Sequence, residues 1–283
     1  MNFWILQSLN GLSYGMLLFL LAAGLSLSFG LMNIVNLAHG SYFLVGAYVG
    51  LTVMERTGNF MAAVVVGAIS VGILGLLMQR LLLRRLTDHL AQVLLTIGFL
   101  FILGDLSLVI WGGVPQIIPK PPLFEGPIRI MESVFPSYRL LVIGVGIVVA
   151  IFLWWLQDRT AMGANVRAAV DDEEMAGSTG INVALLMTVV FGLGAAMAAL
   201  GGVVGGAFLT IFPGQDMDVL LLALVVVIIG GLGSLKGAFV AALLVGLLDN
   251  FGKALFPELA LFTIFAPMAI ILAIRPTGLF GRA

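Results

Sequence analysis

Residues 33–48 read NIVNLAHGSYFLVGAY, and they sit inside residues 9–54, which are otherwise almost wholly apolar and carry no charged side chain. That stretch is too long for one helical span of about 20 residues. It also lacks the Lys or Arg that marks an ordinary cytoplasmic turn. The reading this favours is a chain break at membrane depth, where irregular backbone persists only if protein or water satisfies its polar groups. Asn33, Asn36, His39, Gly40 and Ser41 could do so in two ways. They could simply cap a helix beginning near Leu37 or Ala38, with Asn36 as N-cap, or the break could line a translocation route, as discontinuous helices do in transporters.

The rest of the chain has the same solvent in mind. Of 283 residues, 61% are hydrophobic and 10% charged, against about 25% charged in a soluble domain, and mean hydropathy is +1.18. This is the composition of an all-α polytopic membrane protein, and residues 1–283 read as a single integral domain with no room for a separate soluble catalytic unit. With no cysteine, disulfides, thiolate metal sites and cysteine nucleophiles are excluded. A net charge of -1 points to no nucleic-acid partner. The N-terminus lacks a basic region and a small-residue cleavage site, so it is expected to be retained.

Apolar runs predict spans near residues 11–30, 38–54, 60–79, 93–111, 139–156, 184–211, 218–234, 237–256 and 259–275, about eight or nine in all, some discontinuous or re-entrant. Basic residues follow every second run: Arg80, Arg84 and Arg85 the third, Arg159 and Arg167 the fifth, Lys236 the seventh, Arg275 and Arg282 the ninth. The positive-inside rule makes these loops cytoplasmic, with the C-terminus inside and the N-terminus outside. Arg56 and Lys253 then fall on the outer side, where a long side chain can snorkel.

Two polar segments interrupt the spans. Residues 111–139 are proline-rich and assigned outside as an irregular loop. Residues 157–182 are assigned inside, with a short helix predicted over Arg167–Ala176 and stop signals at Gly177 and Gly180. Its acidic run Asp171, Asp172, Glu173, Glu174 reads as a solvated loop, a metal or acid-base site, or a docking surface that moves both flanking spans.

Enzyme signatures are missing. There is no phosphate loop, since GLGSLKGA (residues 231–238) has the wrong spacing and ending, and no H-E-x-x-H, with His39 and His89 in different segments. Asp105 and Asp249 lie within spans and are functional candidates for that reason, although Asp249 has a self-satisfying partner in Lys253 one turn later. The glycines of Gly230–Gly237 read as a sharp re-entry whose backbone is exposed at the cytoplasmic mouth or in a cavity wall, with Gly230, Gly231, Gly233 and Ser234 as pathway candidates and the break at Asn36–Gly40 as their counterpart.

Three blocks in register, GLSYGMLLFLLAAGLSLSFGLMNIVNLAHGSYFLVGAY, RAAVDDEEMAGSTGIN and IIGGLGSLKGAFVAALLVG, resemble the LivH-like permease subunits of branched-chain amino acid ABC importers, in order over nearly the whole chain. The resemblance implies a bacterial inner-membrane subunit that pairs with a homologous second permease, two cytoplasmic ATPases supplying ATP and Mg, and a periplasmic substrate-binding protein facing loop 111–139. It also implies that residues 157–182 are the coupling region, the family motif there falling on Arg167, Ala168, Ala176, Gly180 and Ile181, with Asp171, Asp172, Glu173 and Glu174 between them. Transport would proceed by alternating access, with a branched-chain or other small amino acid, urea or a short amide as solute. The competing readings are an ion-coupled transporter or channel using Asp105, Asp249 and His39 as a relay, and a scaffold subunit without a transport role.

Overall fold

The computed structural model describes residues 2–33, 35–130, 133–259 and 262–281, so Arg282 lies outside the described residues. Its long helices are α1 (Asn2–Met32), α2 (His39–Thr57), α3 (Phe60–Leu81), α4 (His89–Trp111), α5 (Ser137–Arg159), α8 (Val183–Gly206), α9 (Gln215–Gly230), α10 (Leu235–Leu255) and α11 (Phe262–Ile274), with α6 (Ala161–Asp171) and α7 (Glu173–Ser178) short and polar between α5 and α8. Six of these, α1, α3, α4, α5, α8 and α10, are long and apolar enough to cross a membrane. The nine apolar runs correspond one for one to the nine longer helices.

Helix α1 is the axis of the bundle. Its most apolar window is 83% buried, against 28% for α3 and 22% for α4 and α5, as expected of a helix that is hydrophobic all round. At 31 residues it is about 46 Å long, more than a hydrocarbon core of about 30 Å, so it reaches past the core or tilts within it. Small residues let its neighbours approach at backbone distance: a Cβ on Gly24 would stand 2.3 Å from the Gly194 carbonyl oxygen of α8, and one on Gly246 of α10 would stand 2.4 Å from Gly15 Cα.

The glycine contacts also fix direction. Gly46 and Gly50 of α2 meet Ala199 and Val203 of α8 in ascending order, so these two helices run parallel; Gly67 and Gly75 of α3 meet Val203 and Ala195, so α3 runs antiparallel to α8. Arg80, Arg84 and Arg85 therefore gather at the end of the bundle where α1 finishes and α8 begins, the basic end. At the opposite end, residues 127–130 and 133–136 form a hairpin, β1 and β2, with Pro127 opposite Pro136. Strand pairing between the prolines of loop 111–139 was not expected from its composition; Pro is tolerated here because the ladder has only two edge strands.

Helix α8 ends at Gly206, five residues earlier than its apolar run. The following segment, 207–214, turns back into the bundle, its backbone satisfied by the loop after α4: Gln116 and Ile211 exchange N–H···O bonds of 2.8 and 2.7 Å, and Ile118 N donates to Gly206 O at 3.0 Å.

Candidate functional site

The opening motif breaks the chain inside the bundle. Met32 ends α1, Asn33 takes a left-handed φ of 54°, and α2 begins at His39. His39 Nε2 lies 2.7 Å from the carbonyl oxygen of Leu21, eleven residues and about 16 Å before the end of α1. The connecting residues climb that distance with local help: Leu37 N donates to Thr96 Oγ1 (3.2 Å) and Ala38 N to Asn36 Oδ1 (3.1 Å). Asn36 therefore braces the turn, but the N-cap residue is Ala38 and provides no side-chain bond.

What meets the start of α2 is the start of α9. A Cβ on Gly40 would fall 2.0 Å from the Asp216 carbonyl oxygen and 3.0 Å from Leu220 Cβ. From this contact the two helices diverge, α2 toward the hairpin end and α9 toward the basic end, where Gly230 touches Gly237. Both N-termini lack a side-chain cap, His39 N and Gln215 N donating instead to the carbonyls of Asn36 and Phe212, and the positive end of each helix dipole lies in the interior. Asp216 supplies the counter-charge. It is 5% exposed, and its Oδ2 accepts from Ser41 Oγ at 2.9 Å, the same hydroxyl also standing 2.9 Å from Leu100 O of α4. The Ser41 hydroxyl of α2 thus stands between one acceptor on α9 and one on α4, with a single proton to give to either. Asn36 Nδ2, His39 Nδ1 and Gln215 Oε1, buried around this junction, have no hydrogen-bond partner among the described residues.

The sequence-predicted pathway residues divide into two groups. Asn36, His39, Gly40 and Ser41 form the buried junction. Asn33, Gly233 and Ser234 instead line a cavity of about 720 Å³ at the basic end, together with Ser26, Lys236 and Arg167. Gly230 and Gly231 belong to the tight turn between α9 and α10 beside that cavity, and Gly231 (φ 100°) is pressed against Gly281 of the C-terminal segment. Gly230–Gly237 is therefore a compact turn at the basic end. The interior counterpart of the α2 break is Gly214–Asp216, which hydropathy alone conceals because Gln215 and Asp216 look like the polar start of an ordinary span.

The polar segment 157–182 folds as two helices, where one was expected over Arg167–Ala176. Asp172 takes extended backbone (φ -157°, ψ 107°), ends α6 and caps α7 by accepting from Met175 N at 2.9 Å; a capping carboxylate stabilises the second helix more than it would a continuous one. Gly177 lies within α7, and the left-handed stop is Gly180 (φ 91°). Ala169 and Ala176 pack with Leu31 of α1 and Val183, Leu186 and Val190 of α8, flanked by Ile181. Arg167 donates to the Gln157 carbonyl at the end of α5, and Lys236 pairs with Asp158 at 3.4 Å. Ala168, Asp171, Asp172, Glu173 and Glu174 face outward. Among the described residues the acids form no group able to hold a metal ion.

The three relay candidates are not brought together. His39 is sealed against α1, Asp105 is exposed on the outer side of α4, and Asp249 is bound by Lys253 Nζ at 2.7 Å and by Thr263 Oγ1 at 2.9 Å, linking α10 to α11. Asp249→Ala is expected to lower stability by about 1–2 kcal/mol, since half-exposed Lys253 rehydrates; melting of the purified protein reads this as a fall of several degrees, with uptake per folded molecule unchanged.

Comparison with known proteins agrees with this architecture. Residues 7–273 match the family described as branched-chain amino acid transport system, permease component. BraD of Pseudomonas aeruginosa, a high-affinity branched-chain amino acid transport system permease protein, is 28% identical over 99% of this chain and 96% of its own. LivH of Escherichia coli K12 is 28% identical with the same coverage, and LivM of that organism 27% identical over 93% of this chain and 68% of its own. Among solved structures, PsaBC from Streptococcus pneumoniae in complex with Fab superposes with a TM-score of 0.52 at 14% identity, covering 94% of this chain and 89% of that one, a likeness of fold. This multi-pass bundle, in which two helices meet at their N-termini in the interior, is matched along nearly its full length by these permeases, and the chain belongs to the branched-chain amino acid transport system permease component family.

Proposed function

We infer that this chain is one of two membrane-spanning subunits of an inner-membrane ABC importer, and that it moves a branched-chain or similarly small amino acid by alternating access. The observation that carries the reading beyond family membership is the Gly40–Asp216 contact, where the starts of two helices are joined by the Ser41–Asp216 hydrogen bond and close packing. Such a joint can part and re-form without breaking a long helix, which supports a two-state element. Parting it exposes the unpaired groups of Asn36, His39 and Gln215 together with two helix N-termini and one carboxylate.

The basic end is assigned to the cytoplasm by its Arg and Lys content, with the C-terminus there and the N-terminus outside. The chain binds no cofactor of its own in this reading; ATP and Mg belong to two partner ATPases docking on α6 and α7. Force on those helices reaches α1 through the Ala169–Leu31 packing and α5 through Arg167. A homologous second permease completes the bilayer-embedded unit, and a periplasmic substrate-binding protein meets loop 111–139.

Uptake into proteoliposomes holding the full set of subunits is expected to require ATP; accumulation driven by an ion gradient with no ATPase present would overturn the reading. Reversing the exposed charges with Glu173→Lys and Glu174→Lys is expected to cut uptake about tenfold, the weight of one to two kcal/mol of docking electrostatics, while each ATPase retains basal hydrolysis. Unchanged stimulation of hydrolysis by solute-loaded binding protein would argue against α7 as the docking element.

A further inference from the structure

Helix α4 carries a carboxylate where lipid cannot accept one. Its residues Leu90, Leu94, Gly98, Phe101, Asp105 and Leu108 recur every three or four positions and so share one face. Leu90, Leu94, Phe101 and Leu108 are 65%, 58%, 57% and 46% exposed, and Asp105 is exposed as well. Asp105 stands six residues, about 9 Å, before the end of α4 at Trp111. Its neighbour Gly104 turns inward, where a Cβ would lie 3.1 Å from Asp216 Oδ2, so Asp105 sits level with the interior junction and on the other side of α4 from it. Aspartate is too short to snorkel to the interface from there, and intramembrane acids face protein or a water-filled cavity.

The contrast with α3 is direct. Its outward residues Met61, Val65, Ile69, Ile73 and Leu77, 49–70% exposed, repeat every four positions with no polar member, as a lipid-facing stripe should. On α4 there is a second departure, Gly98: a Cβ added there meets nothing within 4 Å, so nothing in this chain requires a glycine. Small residues on transmembrane faces admit the backbone of a neighbouring helix. An acid that needs water or protein and a notch that fits another helix lie two turns apart on one face.

Resting on the reading of the chain as one of two permease subunits, we propose that this α4 face packs on the homologous second permease, and that Asp105 faces a water-filled solute route between the two, where its carboxylate attracts the ammonium group of an amino acid. The occupant is a different chain of the same family, since Escherichia coli itself has both LivH and LivM, each similar to this protein along most of its length. The buried junction of α2 and α9 then lies directly behind the route, with α4 as the wall between them.

The absence of cysteine makes the test clean. In the complete reconstituted transporter, Asp105→Cys is expected to react with a membrane-impermeant, positively charged methanethiosulfonate, whereas Ile69→Cys on the lipid stripe is expected to react only with a lipid-soluble maleimide. Gly98→Cys should cross-link to a cysteine introduced on the second permease. Asp105→Asn is expected to raise the KM for uptake about tenfold, the effect of losing one charge-assisted contact. Equal reagent preference at positions 105 and 69 overturns the aqueous route, cross-linking between two copies of this chain overturns the choice of partner, and an unchanged KM for Asp105→Asn overturns the ammonium contact. Because ATP-driven uptake by the unmodified complex is measured in the same vesicles, failure of these outcomes is distinguishable from failure of the importer reading itself.

Discussion

A leucine at Gly40 is expected to abolish uptake and to lower the melting temperature of the purified chain by many degrees. The atoms that its Cβ would strike first, the Asp216 carbonyl oxygen at 2.0 Å and carbon at 2.9 Å, are backbone, and the third, Leu220 Cβ at 3.0 Å, is nearly so. None can rotate away, so the start of α9 must shift bodily. Shifts of this kind in a packed core cost about 1–3 kcal/mol and more where backbone is the obstacle. The displaced element also holds Asp216 against Ser41. Gly40→Ala is the sharper test, since it adds one methyl group: a loss of at least tenfold in uptake is expected, on the order of the 1.4 kcal/mol that separates the two states of a joint per factor of ten. Gly126→Ala, immediately before β1, where a Cβ meets nothing, is the matched control. Wild-type stability and uptake for Gly40→Ala would mean that α2 and α9 do not touch as described.

Removal of the charge at Asp216 is expected to have the second-largest effect. With Asp216→Asn an oxygen remains for Ser41, but the charge facing two uncapped helix N-termini is gone; dipole interactions in partly buried geometry are worth up to about 2 kcal/mol each. Asp216→Leu additionally leaves Ser41 with only Leu100 O as acceptor. Uptake is expected to fall about tenfold for the asparagine variant and further for leucine, by the same free-energy scale. A double-mutant cycle with Ser41→Ala, read from thermal or denaturant unfolding in detergent, is expected to give a coupling of about 1.5–3 kcal/mol, the range for a hydrogen bond to a charged group. Strict additivity of the two substitutions would show that the carboxylate acts on the dipoles alone.

The span pattern was legible because hydropathy is a local property. All nine longer helices fall on the nine apolar runs, and NIVNLAHG, without basic residues, leads from Asn33 at the basic end back into the bundle at His39. Asp249 was legible for a similar reason: its partner Lys253 lies one turn away on the same helix. The division of the coupling segment was half legible. Its glycines and acids marked a helical loop, but Asp172 reads equally as a helical residue and as a cap, and only the packing of Ala169 and Ala176 on α1 and α8 selects the break between them.

Asp216 was not legible at all. In sequence it is one of two acids at the start of an apolar run, QDMDVLLLALVVV, where a carboxylate favours the helix N-terminus and would face water. Its partner Ser41 is 175 residues away, and nothing in either segment names the other. The glycines of Gly230–Gly237 were legible in part: they form the turn between α9 and α10, with Gly233 and Ser234 in a cavity wall, but the segment that meets the first break is 207–214, with a proline and one glycine, held by backbone pairing to residues 116–118.

By itself, then, the sequence determined the solvent, the order of the nine longer helices and the segment where the first break occurs, because each depends on the transfer of contiguous residues between water and hydrocarbon. Only the tertiary structure decided which break meets which, that Asp216 is the counter-charge at their meeting point, and that Asp105 is left outside on an otherwise apolar helix. Those depend on close contacts between distant segments, where a missing Cβ at Gly40 or the direction of one α4 side chain settles what touches and what is exposed.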